Sequence, residues 1–202
     1  MLTSLSLSRF LASLRSSDPT PGGGSAAALA GAAGASLLAM VAALPKARAS
    51  NPDDLDRLKG AGDRSTALAE RLESLIDRDS EAYELVMSAY RLPKGTEEEK
   101  RARSARIQDA ARGAIEAPLE VMRACADAIV EAAAVASLGN ANAASDVEVG
   151  LELLMAGLKG ARANVEINLG SVKDASYVGN VQAELTRVQQ EAVAAARAAR
   201  PD

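Results

Sequence analysis

Apolar residues recur along this chain at helical spacing, and no stretch alternates as a strand would. Leu7, Phe10, Leu11 and Leu14 follow an i, i+3, i+4, i+7 pattern, which predicts a short one-sided helix. Pro19, Pro21 and three glycines interrupt the chain between Ser16 and Gly24. A central helix is expected from about Ser25 to Leu44. Asn51 and Pro52 have the chemistry of an N-cap and a first helical residue. After them Leu55, Leu58, Leu68, Leu72, Leu75, Ile76, Tyr83, Val86, Met87 and Tyr90 trace a drifting stripe, ended by Leu92-Pro93-Lys94-Gly95. Thr96 and Glu99 form a capping-box pattern that opens a fourth helix to about Ser137. It should bend near Pro118, which lacks an N–H. Residues 138–144 read as a polar loop, and Ser145 with Glu148 as a second capping box. A fifth helix carries Val147, Leu151, Leu154, Leu158 and Val165. After a break near Gly170 to Ser176, a last helix carries Val178, Val181, Leu185 and Val188. The pattern predicts an all-α fold: one domain over residues 1–202, an antiparallel bundle of about six helices around a buried Ala/Gly-rich central helix.

Composition sharpens this picture. Hydrophobic residues make up 48% of the 202, charged residues 25% and aromatics 2%. Much of the apolar share is alanine, the best helix former, and a core so poor in large side chains must bring its helices close. Residues 26–44 carry no charge and approach the length of a membrane span. They are mostly Ala, Gly and Ser, so a buried helix of a soluble protein is expected, with no membrane partner. A net charge of −4 argues against nucleic acid as partner. The N-terminus lacks the ordered basic, apolar and cleavage regions of a leader, so a cytoplasmic location is expected. Cys125 is the one cysteine and is expected to be buried and inert. There is no histidine, which removes the usual general base and most zinc sites. No metal is expected, and proton transfer falls to carboxylates, lysines, tyrosines or water.

Three places break the local rules. The first is Thr20-Pro21-Gly22-Gly23-Gly24-Ser25, where glycines allow close approach and the following helix start favours an anion; a turn with an N-cap would look the same. The second is Asp79, in line with Leu72, Leu75, Ile76, Tyr83 and Val86. Its neighbours Asp77, Arg78 and Glu81 point elsewhere and read as solvated. A carboxylate in an apolar stripe is either a general acid or base of raised pKa or half of a buried ion pair. The third is Gly139-Asn140-Ala141-Asn142-Ala143-Ala144-Ser145-Asp146, followed by Asn164, Asn168 and Ser171 at i, i+4, i+7. These amides suit a polar planar ligand, or hydrogen bonds between helices. Lys173 and Asp174 follow at a helix end, where they could pair.

At these same segments the sequence resembles the cyclodeaminase/cyclohydrolase family of folate enzymes. The matching pieces are Pro19 to Ala28, Met40-Val41, Asp77-Arg78-Asp79 with Tyr83, and Leu92-Pro93-Lys94 through Thr96 to Lys100. They continue with Gly139-Asn140, Asn142, Ser145-Asp146, and Asn164-Val165 through Asn168-Leu169 to Lys173-Asp174. The resemblance implies an all-helical homodimer with a folate cleft and no cofactor beyond the tetrahydrofolate substrate. It implies one of two reactions. A cyclohydrolase opens 5,10-methenyltetrahydrofolate to 10-formyltetrahydrofolate with water. A cyclodeaminase closes 5-formiminotetrahydrofolate to the methenyl form and expels ammonia. A Gly-Lys-rich stretch with a tyrosine commonly follows the central helix in the deaminase branch, whereas this chain has Leu44-Pro45-Lys46-Ala47-Arg48. The deaminase is also often fused to a formiminotransferase domain, and none accompanies these residues. The cyclohydrolase is therefore the expected activity, with the cyclodeaminase as alternative. A non-catalytic helical scaffold is the rival from another class.

On that resemblance Asp79 is the expected base and Asp146 the second carboxylate, with Lys173 as the acid. Tyr83, Asn140, Asn142, Asn164 and Asn168 are expected to hold the substrate, and Gly22, Gly23, Gly24 and Ser25 to supply backbone donors. Lys46 or Arg48 would meet the glutamate tail or lie solvated at the surface.

Overall fold

The computed structural model describes residues 1–200. Among them are six α-helices and no strand: α1 (Leu7–Leu14), α2 (Gly23–Ala43), α3 (Pro52–Tyr90), α4 (Glu97–Leu138), α5 (Ala144–Leu169) and α6 (Ala175–Ala198). The expected all-α bundle is observed. Helix α2 lies between α3 and α5, and α4 packs on both of those and on α6.

Small residues set how closely these helices approach. A Cβ added to Gly34 would lie 2.6 Å from the carbonyl oxygen of Gly150, and one on Gly157 2.8 Å from that of Ala27. Helices α2 and α5 therefore run antiparallel, nearly backbone to backbone. Cys125 of α4 fills the notch left by Gly31 and Gly157. It is fully buried, and burial pushes its thiol up to about 12, as its alanine-rich setting suggested. The fit explains why the centre needs no large side chain: dispersion gains come from interdigitation, whatever the residue size.

Helix ends follow the expected chemistry at α3, where Asn51 accepts from the Asp54 N–H. They also follow it at α4, where Thr96 and Glu99 form a reciprocal capping box. The second expected box is not formed. A 3₁₀ turn, Ala141–Ala143, runs directly into α5, whose N-cap is Ala143 and has no side-chain cap. Because the backbone is already winding at Ala141, Ser145 falls inside the helix. Glu148 instead pairs with Arg200. Asn140 caps the 3₁₀ turn, accepting from the Asn142 N–H at 2.9 Å. In α1 only Phe10 is buried, while Leu7 and Leu11 are exposed.

Pro118 stands inside α4 without ending it. Its missing N–H leaves the carbonyl of Ala114, four residues back, without its helical donor. The Asn168 side chain of α5 donates to that carbonyl at 2.8 Å. The expected link between α5 and its neighbour is thus a repair of the proline defect.

Helix α6 runs parallel to α4 and is fastened to it by charged groups. Arg112 pairs with Asp174, the Tyr177 hydroxyl donates to Glu116, and Arg123 pairs with Glu184. Asp174 also accepts from the Ser176 and Tyr177 N–H groups. It caps α6 and pairs with Arg112; Lys173 is not its partner.

Candidate active site

The start of α2 is the most unusual helix end in the molecule. Its N-cap is Gly22, which has no side chain to offer. The N–H groups of Gly23, Gly24 and Ser25 have no carbonyl four residues back inside the helix. Asp79 of α3 fills this gap: its carboxylate sits directly over Gly24, where an added Cβ would lie 2.1 Å from Oδ1. Only glycine permits that approach. Next to it the buried Ser25 hydroxyl donates to the Ile76 carbonyl at 2.8 Å, which fixes α2 against α3 at this level.

Asp79 is half-buried. Desolvation pushes its carboxyl above the usual carboxylate value, and the Ser25 N–H directed at it partly opposes that rise. Such a group keeps a proton longer than an exposed aspartate yet still ionises beside a positive helix end. Its sequence neighbours behave differently. Arg78 pairs with Glu120 at 2.9 Å, and Glu81 is exposed. Asp77 is not a solvated charge. It accepts from the Leu2 N–H and from the Thr3 hydroxyl, tying the N-terminal segment to α3, and these bonds hold its carboxyl below the usual range against desolvation.

Asn164 of α5 reaches the same helix start, since a Cβ on Gly23 would lie 3.8 Å from its Nδ2. Tyr83 follows Asp79 by one turn on α3 and is half-buried. Helix α3 continues eleven residues past Asp79 to Tyr90, about 16 Å at the helical rise, whereas α2 has already ended. The result is a step above the α2 N-terminus. Its floor is Gly22 to Ser25 with Asp79 and Asn164, and its wall is the far part of α3.

Other expected site residues lie elsewhere in the chain. Asn168 has its amide nitrogen on the Ala114 carbonyl. Lys173 is exposed at the α5–α6 connection, where its backbone N–H donates to Gln108. Gln108 precedes Glu120, the partner of Arg78, by about 18 Å of α4, so Lys173 stands well above the floor. Asn140, Asn142 and Asp146 lie at the opposite end of the bundle, Asp146 being eighteen positions from Asn164 along α5, about 27 Å. There Asn140 also donates to the Pro45 carbonyl at 2.7 Å, and Arg48 donates to the Gly139 and Ala136 carbonyls. Arg48 thus closes the end of α4, while Lys46 is exposed. A groove of about 410 Å³ bordered by Arg78, Glu81, Leu85 and Arg106 opens on another face of the α3–α4 hairpin and includes none of the expected residues.

Sequence reasoning missed that Gly24 and Asp79 are partners. The available signal was that a Gly-Gly-Gly-Ser helix start lacks a cap of its own.

The formiminotransferase-cyclodeaminase family model matches residues 6–187. The chain is 41% identical over 183 residues to a methenyltetrahydrofolate cyclohydrolase of Methylorubrum extorquens, covering 91% of this chain and 88% of that protein. It is 32% identical over 186 residues to the formimidoyltransferase-cyclodeaminase of Sus scrofa, covering 92% of this chain but 34% of that longer protein. The crystal structure of formiminotetrahydrofolate cyclodeaminase from Thermotoga maritima superimposes with a TM-score of 0.87 at 28% identity, over 98% of this chain and 96% of that one. The matched range takes in the glycine-rich turn, Asp79 and the amide-bearing α5, and on these grounds the chain belongs to the formiminotransferase-cyclodeaminase family.

Proposed function

We propose that this protein is a methenyltetrahydrofolate cyclohydrolase, a soluble cytoplasmic enzyme that adds water to 5,10-methenyltetrahydrofolate and releases 10-formyltetrahydrofolate. The observation that carries the reading is the half-buried Asp79 carboxylate seated on Gly24 at an uncapped helix start. The identity to the cyclohydrolase of Methylorubrum extorquens supports it.

The methenyl carbon is already electrophilic, so the enzyme must place a water, remove its proton and return a proton to the departing ring nitrogen. Asp79 takes the proton from water. Its raised affinity for that proton makes it a better base than an exposed aspartate. The same carboxyl then protonates N5 as the C–N5 bond breaks, and the remaining hydroxyl proton leaves to solvent as the formyl C=O forms, so one group serves as base and acid. The N–H groups of Gly23 and Gly24 face the oxygen as it gains negative character. Asn164 offers an amide to the pterin edge, and Tyr83 a flat wall one turn above. Lys173 is better placed for a distant part of the substrate than for the proton transfer first expected of it.

The test is to follow the near-ultraviolet absorbance of 5,10-methenyltetrahydrofolate with and without protein. Acceleration over the spontaneous rate supports the cyclohydrolase. Conversion of 5-formiminotetrahydrofolate alone would favour the cyclodeaminase, the activity of the superimposed Thermotoga maritima protein. No turnover and no binding of reduced folates would leave the scaffold reading.

A further inference from the structure

Helices α2 and α3 meet antiparallel along a surface with little relief. Gly24 lies against Asp79, Gly31 against Leu72, and Gly62 against Ala42. Seven residues forward along α2, from Gly24 to Gly31, match seven back along α3, from Asp79 to Leu72, so one register holds over this length. An added Cβ would lie 3.2 Å from Leu72 Cδ2 at Gly31 and 2.9 Å from the Ala42 Cβ at Gly62. Helices interlock by setting ridges of side chains into grooves. A helix of alanine and glycine has low ridges, so its packing fixes separation better than it fixes sliding along the axis.

Polar links must then set the slide. Among the described residues both such links between α2 and α3 start at Ser25. Its hydroxyl donates to the Ile76 carbonyl at 2.8 Å, and its N–H is directed at the Asp79 carboxylate. Ser25 is fully buried. One residue of slip is about 1.5 Å. In one direction it would drive the carboxylate from Gly24 onto the Cβ of Ser25. In the other it would carry the carboxylate away from the Ser25 N–H towards Gly22. A hydroxyl held on Ile76, three residues before Asp79, opposes both.

The other residues of this turn are tied elsewhere. Asp77 holds the Leu2 N–H and the Thr3 hydroxyl, and Arg78 holds Glu120 of α4. These bonds fasten α3 to the N-terminal segment and to α4, but not to the helix start that supplies the donors. The surroundings bring no free charge to Asp79 either. Helix α2 has no charged residue, α5 presents the Asn164 amide, Glu120 is paired with Arg78, and Asp18 and Glu81 are exposed. Burial and Ser25 are what act on the carboxylate.

We propose that Ser25 is a positioning residue, whose hydroxyl on the Ile76 carbonyl sets the register that keeps Asp79 over Gly24 and its backbone donors. The consequence for turnover rests on the cyclohydrolase reading above; the register does not.

Two measurements on Ser25→Ala test this. In the first, the Asp79 carboxyl is titrated by carbon nuclear magnetic resonance, its signal identified by loss in Asp79→Asn. Slack in the register takes the Ser25 N–H away from the carboxylate, so the midpoint is expected to rise above that of wild type. Ser65→Ala is the control. It removes a fully buried hydroxyl of the same helix that has no partner, and the midpoint is expected to stay in place. In the second, kcat on 5,10-methenyltetrahydrofolate is expected to fall about 10–10²-fold in Ser25→Ala. KM should change little, and the acidic limb of kcat/KM should rise in step with the midpoint. A hydroxyl that only stabilised the fold would lower the melting temperature and leave midpoint and limb alone. Ser25→Cys keeps the shape with a weak donor; its midpoint is expected to lie between the two, and it is read if Ser25→Ala does not fold. An unmoved midpoint, or an equal rise in Ser65→Ala, overturns the register role, and an unchanged kcat overturns its part in catalysis. Wild type that leaves the folate untouched sinks the cyclohydrolase reading alone, because the titration still reads Ser25.

Discussion

At Asp79 two influences oppose each other, and the balance makes the residue testable. Burial raises the carboxyl's pKa and the Ser25 N–H lowers it, with the rise winning. The folded protein thus binds this proton more tightly than the unfolded chain does. The stability gained from that proton is present below the ordinary aspartate value of 3.8 and is lost as pH rises through the folded value. Once ionised, the wild type carries a partly buried charge that Asp79→Asn lacks. The expected result is a rate lower by about 10²–10⁴-fold with a melting temperature unchanged or higher. A variant that melts well below wild type would show that Asp79 is chiefly a cap. The acidic limb of kcat/KM in wild type should lie above the usual carboxylate range, and a limb at 3.8 or below would contradict the role of base. Gly24→Ala forces a methyl group into the carboxylate and should cost about 1–3 kcal/mol by overpacking. Asp79→Ala in the same chain should recover most of that loss, as a thermal double-mutant cycle would read. Asp79 itself was legible in the sequence, because an acid in an apolar stripe breaks its own pattern. Its partner was not, because a glycine announces space without saying what fills it.

Helices α3 to α6 were legible from periodicity because each buries a stripe, and α3 and α4 were bounded correctly by caps that are local chemistry. The cap assigned to Ser145 failed for an equally local reason: the chain enters α5 already coiled. Asn168 was read as either a ligand group or a link between helices, and only the fold could decide. Pro118 held the clue, since a carbonyl four residues earlier must find another donor. Two substitutions test the pairing. Asn168→Ala leaves the Ala114 oxygen unsatisfied and should cost about 1–3 kcal/mol. Adding Pro118→Ala restores a backbone N–H and should return most of the loss in denaturant unfolding. If the double variant is as weak as the single one, Asn168 stabilises by some other route.

For the molecule as a whole, close packing around glycine makes the centre cooperative. Cys125 touches the notch between α2 and α5 and cannot be reached without parting three helices. Its reaction with a thiol reagent should therefore follow global unfolding, with a rate that rises with denaturant in step with loss of helix. Fast labelling of native protein would show that α4 opens locally. The two-ended distribution of the site residues is a property of this scale too. Sequence order supplies the pieces, but the unbroken length of α5 is what holds Asp146 and Asn164 at opposite ends of the bundle.

The charge-free α2 has a further consequence during synthesis. It leaves the ribosome before α5, resembling a span in length and apolarity. Helix α5, which must cover one of its sides, ends at Leu169, whereas α2 ends at Ala43. At ~5–20 residues per second the interval between them is on the order of 6–25 s. Throughout it the nascent chain displays a sticky segment to targeting factors and chaperones. The small, charge-free residues that let α2 pack so closely therefore also leave it waiting through that interval for the helix that covers it.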